Sequence, residues 1–250
     1  MNCEKEQIIL NQTNSYLTQL GQELLELADK ERAVNSLRFF KTGKGQYGEG
    51  DKFLGIDVPT IHKLSKKYNG LNLDNISAIL RSPFHEVRLL SLFILIMHYD
   101  AGDRITKSKI ASLYLLNTSY INNWDLVDAS AHKILGDYLV NKDRSILNRL
   151  AISQNMWERR IAIVATYKFI KAGSFVETLR ISEKLLHDKE DLIHKAVGWM
   201  LREVGKKNNA VERSFLDKHA ASMPRTMLRY AIEKFPEQSR KKYLRPISKA

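Results

Sequence analysis

The sequence predicts an all-α protein, an α-solenoid built from successive antiparallel helix pairs. Three observations predict it. Apolar residues recur every three to four positions along most of the 250 residues, the period of a helix with one buried face. Period-two alternation, the mark of a half-buried strand, is missing from the chain. From residue 58 onward, helical hairpins follow one another at a near-constant period, and each pair can bury its apolar face only against its neighbours.

Taken in order, residues 6–30 place Ile9, Tyr16, Leu20, Leu24 and Leu27 on a helical period, and "ERAVNSLRFF" reads as a second, shorter helix. The next segment, "KTGKGQYGEGDKFLG" (41–55), holds a G-x-G-x-x-G match at Gly43, Gly45 and Gly48. Such glycines cradle dinucleotide phosphates only after a strand and at the start of a helix. Here a helix ending in Phe39 and Phe40 precedes them, so the segment reads as a flexible connector tipped with Lys41, Lys44 and Lys52. "VPTIHKLSKKY" begins with Pro at a favoured first helical position. "LDNISAILRS" pairs with "PFHEVRLLSLFILIMHY", and "ITKSKIASLYLLN" with "NWDLVDASAHKILGDYLVN". "SILNRLAIS" pairs with "MWERRIAIVATYKFIKA", "VETLRISEKLLHD" with "DLIHKAVGWMLREVGKK", and "ERSFLDKHAAS" with "PRTMLRYAIEKF". The chain, 1–250, therefore reads as one repeat domain. Its N-terminal helices cover about 6–40, the connector 41–55, and the repeats about 58–245.

Composition narrows the function classes. With 44% hydrophobic residues and only 12 Gly and 5 Pro, the chain can bury a core and leaves no room for a long disordered region. The net charge of +12 points to a polyanionic partner, nucleic acid or an anionic membrane surface. A generally basic protein with no such partner is the plainer alternative. The one cysteine, Cys3, allows no disulfide within the chain and no cysteine-based metal site. "MNCEKEQIIL" is not a signal peptide, and the longest apolar run, "LLSLFILIM", is too short to span a bilayer. The expectation is a cytoplasmic monomer, nucleoid-associated if bacterial, with no membrane contact.

The second helices can be aligned on their opening turns. "HEVRLL" brings Arg88 to the fourth position, "WERRIA" Arg160, "LIHKAV" Lys195 and "TMLRYA" Arg229. "NWDLVDAS" keeps phase if Asp128 takes that slot, giving steps of 40, 32, 35 and 34 residues. These fit HEAT-like helical repeats, slightly short of their usual length. Equivalent positions of successive helices line one surface of a solenoid, usually the concave one. The row thus makes either a basic groove for a phosphate backbone or ordinary charge, solvated or paired with acids of neighbouring repeats.

Asp128 puts an acid where the rest of the row puts a base. Phosphate repels an acid on a DNA-binding surface, so the position asks for a reason. All three tryptophans, Trp124, Trp157 and Trp199, lie in these second helices. Trp124 is four residues before Asp128 and shares its helix face. Indoles also pack between helices, the plain reading of Trp157, and Asp125 or Asp128 also suits a helix N-terminus. A carboxylate flanked by aromatic faces in a cationic setting is the sharper reading. Aromatic faces attract cations, and a carboxylate stabilises the positive charge on a sugar whose glycosidic bond is breaking.

"NNWDLVDASAHKILGDYL", "WERRIAIVATYKFI" and "KAVGWMLREVGK", with "FFKTGKGQYGEGDKFLGIDVP" before them, resemble the AlkD-like DNA alkylation repair proteins, HEAT-repeat DNA glycosylases. The resemblance covers roughly residues 30–245. It implies excision of cationic N3- or N7-alkylated purines from duplex DNA without base flipping, and it implies no cofactor and no metal. By resemblance Asp128 is the catalytic carboxylate, stabilising the sugar cation and positioning water. Trp124 and Trp199 pack on the lesion's sugar, Arg160 holds a nearby phosphate, and Arg202 assists it. Some members carry a second Trp just before Trp124, where this chain has Asn123. Two other functions compete with this one: a non-catalytic solenoid that binds duplex or structured DNA through the basic row, and a protein–protein scaffold. Fold alone does not choose among them.

Overall fold

The computed structural model describes residues 15–245. Cys3, Ile9 and the start of the first expected helix lie outside the described residues. The fold is all-α and of the solenoid class. Among the described residues, extended backbone pairs only at an isolated bridge between Lys52 and Phe84. The sequence reading expects one domain over 1–250. The described backbone divides into two compact units, one ending at Ser130 and the other beginning at Ala131.

The first unit contains α1 (Ser15–Glu26), α2 (Lys30–Phe39), α3 (Val58–Lys67), α4 (Leu73–Leu80), α5 (His85–Ala101), α6 (Arg104–Leu116) and α7 (Trp124–Ser130). Its helix starts are written in the sequence. Asp29, Asp57, Asn72 and Asp103 each accept a hydrogen bond from a backbone N–H in the first turn of the helix that follows, which satisfies donors that the helix itself cannot. Helix α5 is the core of the unit and packs on α3, α4, α6 and α7. Neighbours on several sides explain why Val87, Leu89, Leu90, Leu92, Ile94, Leu95 and Ile96 are all buried rather than forming a single stripe.

The second unit contains α8 (Ser145–Ala151), α9 (Met156–Ala165), α10 (Tyr167–Lys171), α11 (Val176–Lys184), α12 (Asp191–Lys207), α13 (Asn209–His219), α14 (Arg225–Ala231) and α15 (Glu237–Leu244). Helix α12 is its centre, packed against α9, α10, α11, α13 and α14. The approach of α14 is close. A Cβ on Gly198 would lie 2.4 Å from the Met227 carbonyl oxygen and 2.5 Å from Tyr230 Cβ, so only glycine fits that crossing.

Three second helices that the sequence draws as continuous are interrupted. After α7 the backbone passes through a π-turn, His132–Gly136, where the Gly136 N–H donates to the Ala131 carbonyl at 2.8 Å. There a Cβ would meet the Ala165 carbonyl oxygen at 2.4 Å, so the bulge lets Gly136 nestle on α9. Between α9 and α10, the Thr166 hydroxyl donates back to the Ile163 carbonyl at 2.7 Å, a bond that competes with the helix ladder. After α14 the chain tightens into a 3₁₀ turn, Ile232–Lys234, before Pro236. Apolar periodicity spans each break, which is why it could not reveal them.

The glycine segment also differs from the flexible connector expected. The Lys52 N–H donates to the Pro83 carbonyl at 3.2 Å, and the His85 N–H donates to the Lys52 carbonyl at 2.8 Å. The buried Glu86 carboxylate accepts from the Leu54 N–H at 3.0 Å and the Gly55 N–H at 2.8 Å. Gly55 has φ 78°, and a Cβ there would lie 2.1 Å from the Asp29 carbonyl oxygen. The segment is a structured strap, fastened to the start of α5.

Candidate active site

In the first unit the candidate residues gather at the start of α7. The Asn123 side chain accepts from the Trp124 N–H at 2.9 Å and caps the helix. Its amide also donates to Asp51 Oδ2 at 3.3 Å. Asn123 is therefore a buried cap tied to the strap. Trp124 is half-buried and Asp128, one turn on, is half-buried too. Asp128's charge reaches the fully buried Tyr114. Burial holds the Tyr114 hydroxyl well above its ordinary range, a 2.9 Å bond with the Ser130 hydroxyl works the other way, and Asp128's negative charge adds to the rise.

Trp124 is backed by aromatic rings. Phe40 stacks on it at 5.6 Å between centroids with the planes 25° apart, and Phe39 meets it edge-on at 5.9 Å. Phe39 is 64% exposed, so the aromatic surface beside Trp124 opens to solvent. Behind Phe40 lie Phe53 at 5.1 Å and the His85 imidazole at 4.7 Å.

Beneath these rings runs a buried polar network. His85 Nε2 bonds Asp125 Oδ2 at 2.7 Å, and its Nδ1 lies 3.6 Å from Asp51 Oδ2. Arg88 donates to Asp51 Oδ1 at 2.7 Å and to the Ser82 carbonyl at 2.9 Å. Burial works against a charge on His85, but the bond to Asp125 and the nearby Asp51 carboxylate outweigh it and push its pKa up to about 9. Burial likewise raises Asp51, and His85 and Arg88 more than offset it, so its carboxyl titrates below the ordinary aspartate range. The site thus holds a buried imidazole between two carboxylates that favour its charged form, beside the aromatic cluster.

The second unit carries the other candidates. Trp199, on α12, is half-buried and lies 5.9 Å from Tyr167, which meets His132 of the π-turn edge-on at 5.4 Å. The Lys171 ammonium sits 5.0 Å over the Tyr167 ring. His132, Tyr167 and Trp199 therefore form an aromatic row.

The basic residues meet different fates. Arg88 is corrected outright: its side chain is 3% exposed and committed to Asp51, so it is not on a phosphate-facing surface. Arg160 is buried as well, and its guanidinium donates to the Leu192 carbonyl, bracing the start of α12. Arg202 is largely covered and paired with Glu233. Lys195 is partly exposed and pairs with Asp191 at 2.7 Å. Arg229 is exposed. Trp157 is buried packing, the plain reading of that indole. Of the four bases in the sequence row, Lys195 and Arg229 keep surface exposure.

Sequence reasoning missed Asp51, His85, Phe40 and Phe53 in the first unit, and His132 and Tyr167 in the second. The one available signal was the Phe39–Phe40 pair at the edge of the glycine segment. Nothing in local spacing ties Asp51 to residues 122–125. Among the described residues, no cluster of three or more His, Cys, Asp or Glu side chains is arranged to hold a metal, and no helix is long and apolar enough to cross a membrane.

Comparison with known proteins agrees with the fold. A family model described as DNA alkylation repair enzyme matches residues 20–235. No curated protein matches the sequence significantly. Among solved structures, the chain is similar to a predicted DNA alkylation repair enzyme from Enterococcus faecalis, with a TM-score of 0.65 at 16% identity. The match covers 84% of this chain and 97% of that one, a likeness of fold.

Proposed function

The chain belongs to the DNA alkylation repair enzyme family, which acts in repair of alkylated DNA, and from that premise we propose that it is a DNA glycosylase for cationic N3- or N7-alkylated purines in duplex DNA. The observation that carries the reading is the helix α7. It presents a carboxylate, Asp128, one turn from a tryptophan on which Phe40 stacks. A protein that only grips phosphate gains nothing from an acid there.

In this reading the glycosidic bond breaks and its electron pair moves onto the departing purine, neutralising that base's positive charge. The sugar becomes an oxocarbenium-like cation. Asp128 stabilises that cation and orients the water that adds to C1′, and the water's proton passes to solvent. Trp124 offers its face to the cationic sugar. The base leaves from the stacked duplex rather than from a flipped position. Lys195 and Arg229 contact backbone phosphates. Arg160 and Arg202 act from behind, by bracing α12.

The test is release of 7-methylguanine from a methylated duplex, wild type beside Asp128→Asn. Wild type releases the base, and the variant falls by about 100-fold or more, the scale of losing one electrostatic stabiliser. Its duplex affinity is kept or improved, because a charge repelled by phosphate is gone. Equal release by the two proteins overturns the assignment of Asp128. Intact duplex binding with no release by either moves the function to non-catalytic DNA recognition.

A further inference from the structure

We propose that His85, clamped between Asp51 and Asp125 and stacked against Phe40, is a positioning residue that fixes the ring of Trp124; the inference rests on the glycosylase reading and adds to it. His85 touches no face on which a substrate could sit. It is 2% exposed, and the rings of Phe40 and Phe53 cover it at 4.7 and 4.8 Å. It reaches Trp124 by two routes. The first is aromatic: Phe40 lies against His85 with its planes 36° apart and against Trp124 with its planes 25° apart, so the imidazole and the indole share one phenyl ring as a neighbour. The second is polar. Asp125, the residue after Trp124, takes a 2.7 Å bond from His85 on one oxygen and a 2.9 Å bond from the Leu126 N–H on the other. Asp51 accepts from Asn123, whose own side chain caps the Trp124 N–H.

The two routes start from different parts of the chain. Asp51 and Phe53 come from the strap, Phe40 from the helix end just before it, and Asp125 from α7, so His85 is where strap and helix are joined. Both carboxylates need a cation. Asp51 also has Arg88, whereas His85 is the cation that bonds Asp125. The charged groups acting on the imidazole are Asp51 from the strap, Asp125 from α7 and Arg88 from its own helix. Arg88 works against the imidazolium, and the two aspartates prevail. When the imidazole loses its proton, Asp125 loses its charged partner and the clamp on α7 loosens. An indole that shifts by a fraction of an ångström is a poorer face for a transition state, because misplacement of about 1 Å can cost a hundredfold in rate.

The experiment uses the full chain. Trp157→Phe and Trp199→Phe together leave Trp124 as the sole tryptophan. In that background its emission titrates with a midpoint near 9, where His85 loses its proton. His85→Gln, which keeps a donor but has no titrating ring, abolishes that step. With all tryptophans present, His85→Gln slows single-turnover release of 7-methylguanine by about tenfold while the duplex Kd stays within about twofold, the pattern of a lost transition-state contact. Asp125→Asn is the second variant and is used if His85→Gln does not fold. It moves the Trp124 midpoint down toward that of an ordinary histidine. Trp124 emission that ignores pH and both substitutions overturns the proposal, and so does release at the wild-type rate by His85→Gln. Failure of the wild type to release any base sinks the glycosylase reading alone, and the Trp124 titration then decides the positioning role by itself.

Discussion

Glu212 carries a carboxyl into a place with too few partners to keep it charged. It is 2% exposed, its Oε1 has no hydrogen-bond partner, and it lies under the backbone of Gly205. Burial pushes its pKa up to about 8, only partly opposed by Arg213 and Arg202. In the unfolded chain the group titrates near its ordinary 4.5. The folded protein therefore keeps a proton between pH 4.5 and 8 that the unfolded chain has released. The stability linked to that proton is fully present below 4.5 and is lost as pH rises through 8. His85 has the same sign over a higher window, since its pKa moves from 6.5 to about 9. Stability should fall steadily from neutral to alkaline pH. Glu212→Gln keeps the shape without the charge, so it should flatten the decline between pH 5 and 8 and leave the part near 9. At pH 8 its Tm should rise by roughly 3–6 °C, the equivalent of one or two kcal/mol in a chain of this size. Melting curves across pH 5–9 check it, and a parallel shift at every pH would show that desolvation of the charge is not the cause.

The helices show how far a sequence can be read. Helical period, capping residues and the succession of hairpins were all legible, because each is local: Asp57 caps α3 three residues before Thr60, and nothing distant is needed. The breaks were not legible. The π-turn depends on Gly136 meeting the Ala165 carbonyl, a contact across 29 positions. The strap looked loose because glycines are permissive, yet Glu86, more than thirty positions away, ties it down. The same split holds for the candidate residues. Asp128 and Trp124 share a helix face and could be paired from spacing, whereas the clamp of Asp51, His85 and Asp125 joins three separate segments. Arg88 misled for the matching reason: its slot in the repeat is real, but a partner 37 positions earlier buries it. The glycine before Trp199 shows what such a long-range contact demands. Gly198→Ala would force α12 and α14 apart, since the new methyl meets backbone and not a flexible side-chain end. It should cost about 1–3 kcal/mol of stability, as overpacking does, and should lower excision by moving Trp199. Denaturant unfolding beside a release assay checks both, and a fully stable, fully active variant would mean that the crossing is looser than its distances.

At the scale of the whole chain, the excess of bases over acids decides how DNA is held. A net charge of +12 draws a polyanion toward the protein whatever the sequence of the DNA. That charge is not evenly available. Arg88 is spent inside the first unit on Asp51, and within the second Arg160 holds the Leu192 carbonyl and Arg202 holds Glu233. Lys195 pairs with Asp191 on the surface, where an ion pair contributes at most about 1 kcal/mol and exchanges easily for a phosphate. Arg229 is exposed at the last turn of α14. These two residues should therefore carry the salt dependence that the sequence row assigned to four. Lys195→Gln with Arg229→Gln should lower the slope of log K against log salt by about 1.8, since each neutralised phosphate contributes about 0.9. Duplex binding measured between 50 and 200 mM salt, roughly the range over which such contacts are screened, reads that slope directly. Arg160→Ala makes the contrast: it should destabilise the protein by removing a buried brace while leaving the slope as it was. An unchanged slope in the double variant, or a reduced one in Arg160→Ala, would exchange the two roles and put the phosphate contact back on the buried arginine.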